Sequence, residues 1–220
     1  MGTPSSTAVL LYGATTYGAT HYSADLLWRL KGYQVPDPVF LMEFSGGETV
    51  LFLSALEYRR GQQEAGADRC VLVEGSVVEQ LDRFVLPLLR DYGVDALVTS
   101  RTFPYELGAA LPDLLTLSVS PTVYPARAVK TPEEVQAIAE TQSALERAFA
   151  RACAMLREAT VAEGVLHHDE DVLTAERLRG IIDQSLFADG CLGVGTIVAC
   201  GAQSADPHCV GSGPLLPHEP

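Results

Sequence analysis

Near its C-terminus the chain reads Thr196-Ile-Val-Ala-Cys-Gly-Ala-Gln-Ser-Ala-Asp-Pro-His-Cys209. The apolar run Thr196–Cys200 predicts a short buried strand that stops at the next glycine, and a polar loop then leads to Pro207 and His208. Proline fixes its own φ and biases the residue before it, Asp206, towards extended geometry. The loop is therefore stiff enough to hold one imidazole in place, although a lone loop histidine is more often simply solvated.

This pattern of an Ile-Val-Ala-x-Gly strand, a short polar loop and Pro-His resembles the pita-bread metallopeptidases, the family of Xaa-Pro aminopeptidases, prolidases and creatinase. The resemblance implies that the strand enters the active site. It also implies that His208 lies beside the substrate and hydrogen-bonds to it, which makes His208 the candidate catalytic and substrate-binding residue. The chain departs from the family pattern at Cys200 and Cys209, and both side chains are small enough to keep this geometry.

The first 120 residues alternate between short apolar runs and helical patterns. Strands are predicted over residues 8–12, 38–44, 48–53, 69–73, 94–99 and 114–119, and helices over 23–31, 55–65, 77–92 and 104–110. The Gly46-Gly47 pair predicts a hairpin between the second and third strands, and Pro87 is expected to bend the longest helix. The alternation predicts a three-layer α/β domain around a mixed sheet.

The order of these features also resembles the N-terminal domain of the same family. The matching positions are Asp25-Leu-Leu-Trp28 before Gly32, Pro36-Asp37-Pro38 before a strand, the Gly46-Gly47-Glu48 turn, and Leu53-x-x-Leu-Glu57 at the start of a helix. The resemblance therefore implies a creatinase-type N-terminal mixed-sheet α/β domain over residues 1–125.

A second domain is predicted to follow a proline-containing linker, Pro121–Lys130. The stretch Thr131-Pro-Glu-Glu134 has the features of a helix start, because its threonine is a cap, its proline suits the first helical position, and its last glutamate completes a capping box. The helix is expected to end near Ala159. Lys-x-Pro-x-Glu before a long helix is also how the family's catalytic domain begins, so residues 126–220 are expected to form a truncated pita-bread α+β domain.

The run His167-His-Asp-Glu-Asp171 is the most obvious candidate metal cluster. It is predicted instead to open a second helix that reaches about Leu186, with carboxylates placed in the first turn by the helix dipole. Adjacent histidines at a helix start point in different directions, so both cannot bind one ion together with Asp169. The resemblance agrees, since these positions are not metal ligands in the family.

Composition excludes several partners. The chain has 28 acidic and 15 basic residues and a net charge of −13, which argues against nucleic acid or an anionic membrane surface. Its five cysteines contain no Cys-x-x-Cys pair, a pattern typical of reduced thiols in a cytoplasmic protein. No apolar run approaches the ~20 residues of a membrane span.

The metal ligands determine the functional interpretation. The resemblance implies two divalent ions, such as Mn, Co or Zn, held by two Asp, one His and two Glu downstream of the Pro-His loop, whereas His208 and His218 alone do not supply a ligand set. No residue of this chain is therefore expected to be a metal ligand. The chain is interpreted as the N-terminal portion of a metal-dependent peptidase that hydrolyses peptide bonds before proline. The catalytic half would belong to a longer enzyme or to a second chain.

Two other classes are considered. A relative without metal ligands would act as a protein- or peptide-binding module, and its short second domain would pack against the first. A serine or cysteine hydrolase has little support, because the chain lacks Gly-x-Ser-x-Gly and a recognisable nucleophile motif. Because family members usually pair as dimers, the resemblance also implies a homo-oligomer.

Overall fold

The computed structural model describes residues 6–113 and 115–218. The chain divides into two compact units, residues 1–129 and 130–220. No helix within the described ranges is long and apolar enough to cross a membrane.

The first unit is built on a six-stranded sheet with helices between its strands. The strands are β1 (Ser6–Gly13), β2 (Val39–Phe44), β3 (Thr49–Leu53), β4 (Arg69–Leu72), β5 (Val94–Ser100) and β6 (Thr116–Ser120). The helices are α1 (Ala24–Arg29), α2 (Ala55–Glu64), α3 (Val77–Gln80), α4 (Leu86–Asp91) and α5 (Tyr105–Ala109). These elements fall close to the predicted ones; Leu114, the first residue of the last predicted strand, lies outside the described residues.

The sheet has the order β4-β3-β2-β1-β5-β6 and is mixed, as predicted. The β1–β2 and β2–β3 pairs are antiparallel, and the other three pairs are parallel. The β2–β3 hairpin turns at Gly46-Gly47, where Gly47 has φ +87° and its N–H donates to the carbonyl of Phe44 over 2.8 Å. A positive φ of this size suits glycine, which has no Cβ.

Both faces of the sheet are buried. Leu10 and Phe40 belong to the core cluster on one face, and Leu11 and Leu41 belong to the cluster on the other. This alternation follows from the two-residue period of a strand, and it explains why the central strands β2 and β3 are apolar along most of their length.

The helical stretch of residues 77–91 is interrupted by a π-helical turn at Leu81–Val85. The N–H of Leu86 bonds to the carbonyl of Leu81, five residues earlier. Pro87 follows directly and has no N–H to bond to the carbonyl of Arg83, so the regular α ladder cannot continue through this point. The irregularity expected from Pro87 therefore lies one turn before it.

The predicted linker packs on the first unit. The hydroxyl of Tyr124 donates to Glu43 over 2.9 Å, and Arg127 forms an ion pair with Asp25. These contacts explain why the division between the units falls after Val129, whereas the sequence placed it after residue 125.

The second unit contains two helices, a small sheet and a long irregular segment. Its elements are α6 (Pro132–Glu158), β7 (Thr160–Ala162), β8 (Val165–His168), β9 (Asp171–Val172) and α7 (Ala175–Ala188). The predicted capping box is present, because Thr131 and Glu134 each bond to the other's backbone N–H.

The prediction that residues 167–171 open a helix is wrong. They form a hairpin between β8 and β9, with Asp169 and Glu170 in its two-residue turn at φ +55° and +70°. Positive φ at both turn residues gives the backbone twist that matches paired strands. Helix α7 begins later, where the Thr174 side chain accepts a hydrogen bond from the N–H of Arg177.

The strand predicted over Thr196–Cys200 does not form within the described residues. The segment joins the following loop by a hydrogen bond from the N–H of Val198 to the carbonyl of Val210 over 3.1 Å. The prediction failed because a strand requires a paired neighbour as well as a suitable apolar run.

Candidate functional site

The predicted site residue, His208, lies on an exposed loop of the second unit. A 3₁₀ turn at Gly201–Ala205 precedes it. The carboxylate of Asp206 accepts a hydrogen bond from the N–H of His208 over 3.0 Å, and the carbonyl of Asp206 accepts one from the N–H of Cys209 over 3.1 Å. Together with the fixed φ of Pro207, these bonds define the backbone that carries the imidazole.

The first two turns of α7 hold the end of the loop. Arg179 Nη1 donates to the carbonyl of Val210 over 2.7 Å and to that of Gly211 over 3.3 Å. Both carboxylate oxygens of Glu176 lie 3.1 Å from the N–H of Gly213, and the N–H of Ala175 donates to the Gly213 carbonyl over 2.9 Å. The helix thus satisfies polar backbone groups that the loop cannot satisfy itself.

Two further contacts close the loop. The Gln203 side chain accepts from the N–H of Ser212 over 2.9 Å and donates to the Ser212 carbonyl over 3.1 Å. Gly211, which is buried and has φ +83°, passes so close to Val198 that a Cβ there would lie 1.7 Å from the Val198 carbonyl oxygen. The loop therefore has a defined shape, and His208 projects from a clamped backbone.

This arrangement can present one hydrogen-bonding imidazole to a bound molecule. The catalytic and substrate-binding roles of His208 stay predictions, as does its place beside a substrate. Sequence reasoning missed the residues that clamp the loop, Glu176, Arg179 and Gln203. The only available signal was their polarity, which is equally typical of an ordinary surface.

Acid is expected to release part of this clamp. The pKa of Glu176 is below its ordinary value because its carboxylate accepts a hydrogen bond from its own backbone N–H and, next in size, from that of Gly213. A carboxyl whose pKa is lowered by folding stabilises the fold above its unfolded pKa of about 4.3, and this stabilisation is lost as pH falls through the lower folded value. We expect the amide protection factor of Gly213, measured by hydrogen exchange, to fall below about pH 4.3.

The control for this prediction is Glu140→Gln, which changes an exposed carboxylate on α6. It should leave the protection of Gly213 and its pH dependence unchanged, whereas Glu176→Gln should lower protection above about pH 4.3 and remove its pH dependence. A protection factor for Gly213 that is independent of pH in the wild type would contradict the assignment.

The hairpin histidines do not form a metal centre. His168 Nδ1 lies 3.0 Å from an Asp169 carboxylate oxygen but makes no hydrogen bond, because the contact is poorly directed, and Nε2 lies 3.5 Å from Glu158. Arg177 donates to the His168 carbonyl over 3.0 Å and places a cation beside these carboxylates. Across residues 6–113 and 115–218 no group of three or more His, Cys, Asp or Glu could hold a metal ion, so the residues do not fit the two ions implied by the resemblance.

An apolar groove lies in the second unit. It has a volume of about 630 Å³ and lies between α6, α7 and residues 191–196. Ile138 and Leu145 line it from α6, Ile182 and Leu186 from α7, and Leu192 from the irregular segment. Its lining is suited to apolar contact, and no pattern in the sequence predicted it.

The fold is similar to that of several solved peptidase structures. The match to a prolidase from Pyrococcus furiosus covers 96% of this chain and 55% of the prolidase chain, with 16% sequence identity and a TM-score of 0.69. The match to an Xaa-Pro dipeptidase from Bacillus anthracis covers 96% of this chain and 53% of the dipeptidase chain, with 14% sequence identity and a TM-score of 0.73. The match to an X-Pro aminopeptidase from Thermotoga maritima covers 96% of this chain and 55% of the aminopeptidase chain, with 17% sequence identity and a TM-score of 0.68.

The chain thus spans about half the length of these structures. No protein-family model matches the sequence, and no curated protein matches it significantly. At this level of identity the likeness concerns the fold. It confirms the predicted fold, a mixed-sheet α/β domain followed by the first part of a pita-bread domain.

Proposed function

We propose that this chain is the N-terminal portion of a metal-dependent peptidase that hydrolyses peptide bonds before proline. The observation that carries the proposal is the continuous structural match, through both units, to proteins described as a prolidase, an Xaa-Pro dipeptidase and an X-Pro aminopeptidase. A match to one unit alone would support only a common α/β domain, since one fold serves many functions.

In this proposal His208 binds the peptide substrate. Its imidazole is exposed, and its backbone is fixed by Asp206 and by the Arg179 clamp on the loop end. A donor held in advance loses little conformational entropy when it meets the substrate, which favours a hydrogen bond to the peptide or to the intermediate of its hydrolysis. The described residues contain no metal ligand set, so no metal-dependent step is assigned to them.

The test is an activity assay on the protein isolated from its native source, with its intact mass measured first. We expect hydrolysis of Xaa-Pro dipeptides, and we expect His208→Ala to lower kcat/KM by about 10²–10³-fold while the circular dichroism spectrum stays unchanged. The matched control is His218→Ala, which removes another exposed histidine. An unchanged kcat/KM in His208→Ala would exclude the proposed role.

A non-catalytic peptide-binding module is the second candidate. The lack of a metal ligand set among the described residues and the presence of the apolar groove favour it. Calorimetry with Xaa-Pro peptides discriminates between the two. A native protein of about 23.6 kDa that binds such peptides without cleaving them would be a binding module, whereas turnover would support the peptidase.

A further inference from the structure

The six-stranded sheet has an opening, the β3–β4 crevice, at the carboxyl ends of two neighbouring strands that run parallel. The chain leaves β3 into α2, where Gly61 lies against Leu53, a member of the core cluster on one face of the sheet. It leaves β4 into the helical stretch of residues 77–91, where Leu81 and Leu89 belong to the core cluster on the other face. Connections that depart to opposite faces leave a gap between them, and α/β sheets bind ligands in gaps of this kind.

The β3–β4 crevice contains a cavity of about 300 Å³. Its lining combines four apolar residues with one acidic and one basic residue, namely Ala55, Leu72, Val73, Phe84, Glu74 and Arg83. Ala55 begins α2, whereas Arg83 and Phe84 lie in the π-helical turn, a feature that is frequent at functional sites. A cavity of this size, at the lower end of the range for ligand pockets and with few polar groups on apolar walls, suits a small and largely apolar molecule.

The two charged residues of the cavity form only a loose ion pair. Arg83 Nη2 and Glu74 Oε1 are 4.0 Å apart, and the two side chains are 59% and 80% exposed. An exposed pair at this distance contributes little to folding, so a ligand that enters between the two charges breaks no strong interaction. The guanidinium carbon of Arg83 lies 5.5 Å from the centre of the Phe84 ring, which holds the cation beside the apolar wall.

This combination of groups is complementary to a free amino acid with an apolar side chain. A guanidinium binds a carboxylate through two parallel hydrogen bonds, and a carboxylate binds an ammonium group. A free amino acid carries both groups on one carbon, so they meet Arg83 and Glu74 together while the side chain contacts the apolar wall. In a dipeptide the two charges are separated by one further residue, about 3.5 Å of extended chain, which fits a pair of charges 4.0 Å apart less well.

We propose that the β3–β4 crevice binds a free apolar amino acid, with the ligand's carboxylate on Arg83, its ammonium group on Glu74 and its side chain against Leu72 and Phe84. The inference does not depend on the peptidase proposal, because every residue that lines the cavity belongs to the first unit and binding is measured without catalysis.

The first experiment is an NMR titration of the isotope-labelled 220-residue chain with L-leucine. We expect the amide signals of Val73, Glu74 and Phe84 to shift, with a Kd on the order of 1 mM or below. Isocaproate has the same branched chain and carboxylate but no ammonium group, and isoamylamine has the ammonium group but no carboxylate. Each should bind at least ~10-fold more weakly than leucine, because one charge of the crevice is then left without its partner.

Two variants assign the charges. Arg83→Gln and Glu74→Gln should each weaken leucine binding at least ~10-fold, and in Arg83→Gln leucine should bind no better than isoamylamine. The matched controls are Arg90→Gln and Asp82→Asn, which remove exposed charges that do not line the cavity and should leave the Kd unchanged.

The contrary results are equally specific. An absence of shifts at up to about 20 mM leucine, or shifts confined to the second unit, would overturn the site. Isocaproate that binds as tightly as leucine, or leucine binding that survives both charge changes, would overturn the assignment of an amino acid as the ligand.

Discussion

Replacement of Gly211 with alanine is expected to disrupt the loop that carries His208 and to destabilise the second unit by more than about 3 kcal/mol. The new Cβ would lie 1.7 Å from the carbonyl oxygen of Val198 and 2.5 Å from its carbonyl carbon. Both are backbone atoms, so a rotamer change cannot relieve the clash. The Val198 segment must move away, and the hydrogen bond between Val198 and Val210 must break.

A conformational cost adds to this steric clash, because Gly211 has φ +83°. An L-residue costs roughly 1–2 kcal/mol in this left-handed region even where space is available. Gly213 separates the two contributions, since it has φ +77° but nothing within 4 Å of the position of a Cβ. Gly213→Ala should therefore show only the conformational cost.

Urea denaturation of both variants provides the measurement, and hydrogen exchange over residues 196–213 locates the effect. We expect Gly211→Ala to lose protection at Val198 and through the loop, and Gly213→Ala to keep most of it. Equal losses of stability in the two variants would show that the close approach of Gly211 to Val198 is unimportant.

The parts of the fold that were predicted correctly are governed by short-range chemistry. The Gly46-Gly47 turn requires backbone conformations that glycine supplies, so the hairpin could be predicted from two residues. Thr131, Pro132 and Glu134 each satisfy a separate requirement of a helix start, and all three agree. Ser23 likewise caps α1 by accepting the N–H of Leu26 over 3.2 Å.

The failures occur where a partner distant in sequence decides the structure. The residues from His167 to Asp171 suit a helix start, but β8 also bonds to the C-terminal segment through the N–H of Leu166 and the carbonyl of Leu215, 2.9 Å apart. A local signal was overlooked as well, because Glu163-Gly164 forms the turn between β7 and β8 with φ +52° and +80°. A glycine after an acidic residue between two apolar pairs is a hairpin pattern.

The candidate site shows the same difference between local features, which could be predicted, and contacts between residues distant in sequence, which could not. The placement of His208 on a proline-stiffened loop could be predicted, because Pro207 acts on its own neighbours. The clamp could not be, since Arg179 reaches a carbonyl 31 residues away in sequence and no local pattern specifies that contact.

Leu173→Ala is expected to have the other large effect, a loss of about 2–5 kcal/mol in the stability of the second unit. Leu173 is fully buried in a small cluster with Leu178 and Leu215. Its N–H donates to the carbonyl of Leu166 over 2.7 Å, and its carbonyl accepts from the N–H of Leu215 over 2.9 Å. The residue therefore joins the hairpin, the start of α7 and the C-terminal segment at one point.

The size of the core makes this residue more important than a leucine in the first unit. The cluster that contains Leu173 has five buried members, two of them alanines, whereas the two clusters around the large sheet have seventeen and ten. A cavity in the smaller cluster has fewer neighbours that can shift to fill it, so the cost should lie in the upper part of the range.

Hydrogen exchange distinguishes this local effect from a general one. In Leu173→Ala we expect the amides of residues 160–218 to exchange faster and those of β1, β2 and β3 to keep their protection. The matched control is Val172→Ala, at a neighbouring residue that is 38% exposed. It should change the exchange rates little. Uniform loss of protection across both units would contradict a separate core. Since Glu176 and Arg179 belong to the helix that Leu173 anchors, the same variant should also free the His208 loop, which makes the core of the second unit the support of the candidate site.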